Sequence, residues 1–292
     1  VKHLLEYLAL RAGAGLVGLL PAGGARWLGR FGGGIWHTFA AGRRAMAERH
    51  MRRALGEDGD AVGAARGVMR SYGRYYAEAL WARGRRVEYL VGHTSVEGLD
   101  QIIEARERGR GQIYGLPHVG NWEVAAPVAV KEKVPVVAVA ENLPNRRITD
   151  WFTRMRSEFG IEIVLATGST EVMRALEGAL AANKAVALLS DRDLKGRGVA
   201  VEFFGEETTL PPGPATLALR TGAPLLPVAS YFDGNDRYRV VVRPPIPVPV
   251  EGSRSEKVAA MTRALALEME DLIRASPSQW HLVQPNWPSD RS

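Results

Sequence analysis

The chain has 292 residues, 46% of them hydrophobic, enough to bury a full core, and it has no cysteine, which excludes disulfides, thiolate nucleophiles and thiolate metal sites. The net charge of +6 is uneven: residues 1–86 hold 15 Lys and Arg against 6 Asp and Glu, or +9, leaving −3 for the rest. Its six histidines show no ligand spacing, so no metal is expected.

Residues 1–86 read as helical. Val62, Ala65, Met69, Tyr72, Tyr76 and Ala79 recur at three and four. The segment "GRRAMAERHMRR" gathers Arg43, Arg44, Arg49, Arg52 and Arg53 around His50, a cluster that attracts phosphate or an anionic surface, or else forms a solvated helix. No apolar run reaches the ~18 residues a spanning helix needs, since Arg11, Pro21, Arg26 and Arg30 interrupt it. The opening stretch lacks the cleavage pattern of a secretory signal. Leu4, Leu5, Leu8, Leu16, Leu19 and Leu20, with Trp27, Phe31 and Trp36, suit either a membrane interface or a packed helix.

Beyond residue 86 short apolar runs, "RGQIYGLPH", "VPVVAVA", "IEIVL" and "AVALLS", alternate with helical stretches at 97–108, 121–132, 145–159 and 169–182. This alternation predicts an α/β fold, a central mostly parallel sheet flanked by helices, with the N-terminal helical region attached. "VAVEFFG", "APLLPVASYF" and "RYRVVVRPPI" extend the sheet to about residue 243, with a helix closed by Gly222 between the first two. A capping box, Ser253 with Glu256, opens an amphipathic C-terminal helix.

"HVGNWE" is the one place where a histidine, His118, precedes an acid, Glu123, by five positions. The pair alone is weak, since about one such match is expected by chance. Its setting adds weight. His118 follows a strand, where open α/β sheets bind ligands, and Asn121 reads as the cap of a helix whose first turn tilts Glu123 back toward the histidine. A carboxylate on imidazole fixes its tautomer and makes His118 a candidate general base. Free N–H groups at the helix start would stabilise an oxyanion. With neither cysteine nor a serine elbow, the nucleophile is a substrate hydroxyl and the chemistry acyl transfer; a capping glutamate beside a structural histidine is the alternative.

After the strand "AVALLS", "DRDLKGRG" supplies Asp191, Arg192 and Asp193, for a charge relay, a substrate grip or a loop salt bridge. Glu141 follows another strand, and Arg146, Arg147, Arg154 and Arg156 suit phosphate.

"HVGNWE", "DRDLKGRGVAVEFFG", "PPGPATLALRTGAPLLPV" and "SPSQWHLVQPNW", in this order and over nearly the whole chain, resemble the bacterial lipid A late acyltransferases of the lysophospholipid acyltransferase superfamily. The closing "QWHLVQPNWPSD" and the arginine- and alanine-rich composition are similar to the actinobacterial branch that acylates phosphatidylinositol mannosides. The resemblance implies a single acyltransferase domain over 1–292, with 1–86 as a basic membrane-interface region and 87–292 as the catalytic core and C-terminal helix. It implies acyl-CoA as co-substrate with no other cofactor, and a mannose hydroxyl of a mannosylated phosphatidylinositol as acceptor. The expected location is the cytoplasmic face of the cell membrane, held peripherally on its anionic surface. His118 is implied as base, Glu123 as its motif partner, an acid of the Asp191–Asp193 loop as support, and Glu141 and Arg156, with Arg192 and Asp193, as substrate-binding. Acylation of another glycolipid or lysophospholipid, thioester hydrolysis, and a nucleic-acid or anionic-surface binding module stay open; no RNA-binding signature accompanies the arginines.

Overall fold

The computed structural model describes residues 2–166, 169–193 and 196–291. The N-terminal region is helical, as α1 (Lys2–Gly18), α2 (Ala22–Phe39), α3 (Ala41–Leu55), α4 (Ala61–Trp81) and α5 (Arg85–Gly92). Then follow β1 (Thr94–Glu97), α6 (Leu99–Glu107), β2 (Gln112–Leu116), a 3-10 turn at Trp122–Val124, α7 (Ala125–Lys131), β3 (Val136–Ala140), α8 (Arg146–Glu158), β4 (Ile161–Leu165), α9 (Ser169–Ala181) and β5 (Ala185–Leu189). The remainder is β6 (Val199–Phe203), β7 (Glu206–Leu210), α10 (Gly213–Thr221), β8 (Leu225–Asp233), β9 (Arg237–Val242) and α11 (Arg254–Arg274).

Seven strands form one sheet in the order β1-β9-β8-β2-β5-β3-β4, parallel except where β8 meets β9. Every residue of β2 is buried, as a central strand covered on both faces requires; its apolar run is therefore continuous rather than alternating. The mostly parallel sheet with flanking helices is thus the predicted architecture. Two details differ. "VAVEFFG" does not extend the sheet; it is β6, which turns back on β7 as a separate antiparallel hairpin. The short strand β1 pairs with β9 at the sheet's edge, its four residues too few and too polar to stand out in the sequence.

The N-terminal helices join the sheet through α4. Gly29 and Gly33 of α2 meet Gly73 and the Met69 backbone of α4 so closely that a Cβ on Gly29 would lie 2.6 Å from the Gly73 carbonyl. Only glycine permits that approach. On α4 the buried face runs through Ala65, Val68, Met69, Tyr75 and Ala79, whereas Val62 and Tyr76, expected on it, are exposed. The Ser253–Glu256 capping box is present at α11, and Met261, Leu265, Met269 and Leu272 face the core. Such a cap contributes about 1 kcal/mol. Gly222 closes α10 in the left-handed conformation, as the sequence predicts.

Arg53, from the basic cluster, holds the C-terminal segment: it donates to Glu206 at 2.7 Å and Asp290 at 2.9 Å and lies over the Trp287 ring. His50 is fully buried between the Leu282 carbonyl and Asp290. Arg43 and Arg49 donate to the carbonyls of Val283 and Ser289. The cluster is therefore largely a clasp on residues 282–290 rather than an open anion-binding surface. Among the described residues, no helix is long and apolar enough to cross a membrane.

Candidate active site

Register places the central pair. β2 and β5 are parallel neighbours with Leu116 opposite Leu189, and the Ser190 amide extends the ladder to the Leu116 carbonyl. His118 and Asp191 each lie two residues beyond those paired ends, at the C-terminal edge of the sheet where open α/β folds bind ligands. The His118 Nδ1 lies 2.6 Å from Asp191 Oδ1, and the His118 amide donates to Asp191 Oδ2 at 3.0 Å.

Asp191 is fully buried and anchored from the chain's end: Trp280 Nε1 donates to Oδ2 at 2.8 Å, and Asn286 Nδ2 donates to the Asp191 carbonyl. Burial pushes its carboxyl up, but the His118 ring and the hydrogen bonds from His118 and Trp280 outweigh this and hold it below its ordinary value. An ionised Asp191 accepts the proton of Nδ1–H, which leaves Nε2 with its lone pair. The His118 side chain is 27% exposed, and Nε2 has no hydrogen-bond partner among the described residues. This is the geometry of a general base.

Glu123, read in the sequence as the acid on the imidazole, is turned elsewhere. Its Oε1 accepts from Tyr75 Oη at 3.1 Å and from Arg156 Nε and Nη2, both at 2.9 Å. The cause is local. Asn121 does not cap with its side chain, which donates to Glu78 instead, and the chain enters a 3-10 turn before α7 begins. That turn swings Glu123 away from His118 and into the interior, where it is 2% exposed. The Arg156 guanidinium, lowered by burial but raised more by Glu123 and Tyr75, stays above its ordinary value and charged. The Tyr75 hydroxyl is pushed well up by burial and by Glu123.

Gly120 lets the loop pass: its φ is 59°, and a Cβ there would collide with the Ser230 carbonyl. Trp122 stands edge-on to the His118 ring with centroids 5.4 Å apart. It also lines a narrow apolar slot with Leu116, Ala126, Ala138, Ala187 and Leu189, against which the Glu123–Arg156 pair lies.

Of the other expected residues, Arg192 is half-buried beside Asp191, its guanidinium lowered by burial despite the charges of Asp191 and Glu141. Glu141 is exposed and close enough to act on it. Asp193 accepts from the Gly198 amide at 2.6 Å and from Thr209 Oγ1 at 2.9 Å, so it shapes its own loop against β7. Of the two acids, Asp191 is thus the one on the histidine. Leu194 and Lys195 of the Gly-rich turn lie outside the described residues. Arg146 and Arg154 are exposed on α8, away from this group.

The closing segment contributes side chains whose roles the sequence did not reveal. Besides Trp280 and Asn286, the His281 amide donates to the His118 carbonyl at 2.7 Å, and its ring stacks on Tyr72 and bonds Ser71 Oγ at 2.8 Å. Burial, with a smaller push from His118, lowers the His281 ring to about 3 and keeps it neutral. The density of aromatic and amide residues in "SQWHLVQPNW" was the available signal.

Fold and site together define a class: an α/β fold with a carboxylate-held histidine at the sheet's C-terminal edge, beside an apolar slot. Residues 2–289 match the family described as bacterial lipid A biosynthesis acyltransferase, and the chain belongs to that family. A Mycolicibacterium smegmatis protein named phosphatidylinositol mannoside acyltransferase is 34% identical over 288 residues, 98% of this chain and 92% of that one. A Mycobacterium tuberculosis protein of the same name is 35% identical over 232 residues, 77% of this chain and 70% of that one.

Proposed function

We propose that this acyltransferase moves a fatty acyl chain from acyl-CoA to a mannose hydroxyl of a phosphatidylinositol mannoside, held peripherally at the cytoplasmic face of the cell membrane. The observation that carries the catalytic reading is the His118–Asp191 pair, with Nδ1 committed to a buried carboxylate and Nε2 open. The acceptor and its class rest on the names of the two mycobacterial relatives.

In this reading the acceptor hydroxyl gives its proton to His118 Nε2 as its oxygen attacks the thioester carbonyl. Asp191 stabilises the imidazolium that forms. The tetrahedral intermediate then expels the CoA thiolate, which takes the proton back, leaving an ester and free CoA. The apolar slot beside Trp122 suits the acyl chain. The Glu123–Arg156 pair stiffens its wall, and Arg192, beside Asp191 and within the electrostatic reach of Glu141, would meet the polar acceptor. Glu123 therefore acts through Arg156 and Tyr75 rather than on the imidazole. Membrane attachment draws support from Leu4, Leu5, Leu8 and Leu16 of α1, Leu19 just after it, and Trp27, Phe31 and Phe39 of α2, all exposed; Trp36 instead packs against Tyr72. The test is incubation of the purified protein and of His118→Ala with acyl-CoA and mannosylated phosphatidylinositol, reading lipid mass. Acylation by the parent alone supports the assignment.

A further inference from the structure

Helix α2 carries an apolar stripe exposed to solvent at four-residue spacing: Trp27 (64% exposed), Phe31 (53%) and Ile35 (45%), with Trp27 and Phe31 stacked at 5.2 Å. Beside the stripe, between α2, α4 and the turn joining β8 to β9, runs an open cleft of about 1030 Å³. Its polar lining includes Arg26, Arg30, Arg66, Arg70 and His37, with one carboxylate, Asp236.

The charge in this cleft is not neutralised from within. Glu78, behind it, is taken by Arg26 at 3.0 Å and Arg74 at 2.9 Å. Arg30 donates to neutral acceptors, Asn235 Oδ1 at 2.8 Å and the Gly234 carbonyl. Arg66 and Arg70 are exposed and have no hydrogen-bond or ion-pair partner among the described residues, and exposed Asp236 pairs with none of the arginines. Burial and the charges of Arg74, Arg70 and Arg26 outweigh Glu78 and push the Arg30 guanidinium below its ordinary value. Such a group of like charges favours a bound anion, and guanidinium forks match phosphate oxygens.

The cleft is separate from the catalytic pair. Arg70 and Tyr72 are about 200° apart around α4, and Tyr72 is the residue that meets His281 and the site. Arg26 and Arg30 each precede a stripe residue, Trp27 and Phe31, by one position. The arginine side and the apolar side of α2 therefore adjoin, about 100° apart on one helix. A soluble phosphate has no use for the stripe; a phospholipid has a headgroup for one side and chains for the other.

We propose that this cleft seats the anionic headgroup of a bilayer phospholipid, its phosphate held by Arg30, Arg66 and Arg70 while Trp27, Phe31 and Ile35 enter the acyl region. The site rests on the reading that the protein works at a membrane surface, and it replaces the α3 arginine cluster as the anchor. The experiment is co-sedimentation with vesicles of phosphatidylcholine alone, or with about one-third phosphatidylinositol, using the parent, Arg66→Gln/Arg70→Gln, Trp27→Ser/Phe31→Ser and a charge-matched Arg52→Gln/Arg263→Gln control. The expected result is a loss of about 10- to 30-fold in partition onto the phosphatidylinositol vesicles for Arg66→Gln/Arg70→Gln, with little change on phosphatidylcholine. Trp27→Ser/Phe31→Ser weakens both. Parent-like binding by Arg66→Gln/Arg70→Gln overturns the site. So does an equal loss in the control, which makes the attraction diffuse, or parent-like vesicle binding by Trp27→Ser/Phe31→Ser, which removes the hydrocarbon side and leaves a site for a soluble phosphate. Acyl transfer is scored separately, on the parent with detergent-dispersed glycolipid. Binding through Arg66 and Arg70 without transfer overturns the proposed function and leaves the cleft standing; transfer with binding that ignores them does the reverse.

Discussion

His118 and Asp191 are 73 positions apart in the chain and 2.6 Å apart in the fold, joined because β2 and β5 run parallel and end level with each other. Asp191→Asn keeps the shape but offers an amide to Nδ1, which favours the wrong tautomer. The expected outcome is a fall in kcat of about a thousandfold or more with KM for acyl-CoA little changed. Steady-state kinetics on the folded variant checks it.

Glu123 and Arg156 form a second pair with a different expected signature. Glu123→Gln leaves a mostly buried guanidinium short of its counter-charge, for a loss of about 2 kcal/mol after allowing for Arg156's partial exposure. Thermal unfolding of Glu123→Gln, Arg156→Gln and the double variant measures it, the double recovering part of the loss. The pH–rate profile of Glu123→Gln keeps the parent's shape. A displaced profile would return Glu123 to the imidazole.

How far the sequence reveals this site depends on what sets each contact. Helices and strands come from local periodicity, and the stretches 145–159 and 169–182 match α8 and α9 to within a residue or two. Candidate residues were legible for the same reason, since the ends of apolar runs mark loops at the sheet's edge. Which acid meets His118 was not. Glu123 is near in sequence and Asp191 near in space, and choosing between them needs the β2–β5 register, a long-range pairing with no local signal. Arg53 shows the same limit: a run of arginines reads as free charge until Glu206 and Asp290 arrive from more than 150 positions away.

The clasp at Arg53 has its own expected outcome. Arg53→Gln removes two carboxylate contacts and the packing over Trp287, and Asp290 is fully buried. Stability falls by about 2–3 kcal/mol. Because Asn286, in the clasped segment, and Trp280, two residues before it, hold Asp191, turnover falls as well. Denaturant unfolding and kinetics on the same preparation read both.

Acid destabilises the fold through His281. Its folded value of about 3 is below the ordinary 6.5, so between the two the unfolded chain takes up a proton that the folded one refuses. Stability therefore falls as pH drops from about 6.5 toward 3, by up to about 1.4 kcal/mol per pH unit. Asp191, held below its ordinary value, adds stability above the usual carboxylate range that is lost as pH falls through its folded value. Thermal unfolding between pH 7 and 4.5 should show a shallower slope for His281→Gln than for the parent.

The most direct test of a histidine base acting on a substrate hydroxyl is mass spectrometry of protein and lipid after reaction with acyl-CoA, first alone and then with mannosylated phosphatidylinositol. The account expects no acyl adduct on the protein with donor alone, and one added acyl chain on the lipid when both substrates are present, with no transfer by His118→Ala. A stoichiometric, kinetically competent acyl-enzyme, or full transfer by a folded His118→Ala protein, would contradict it.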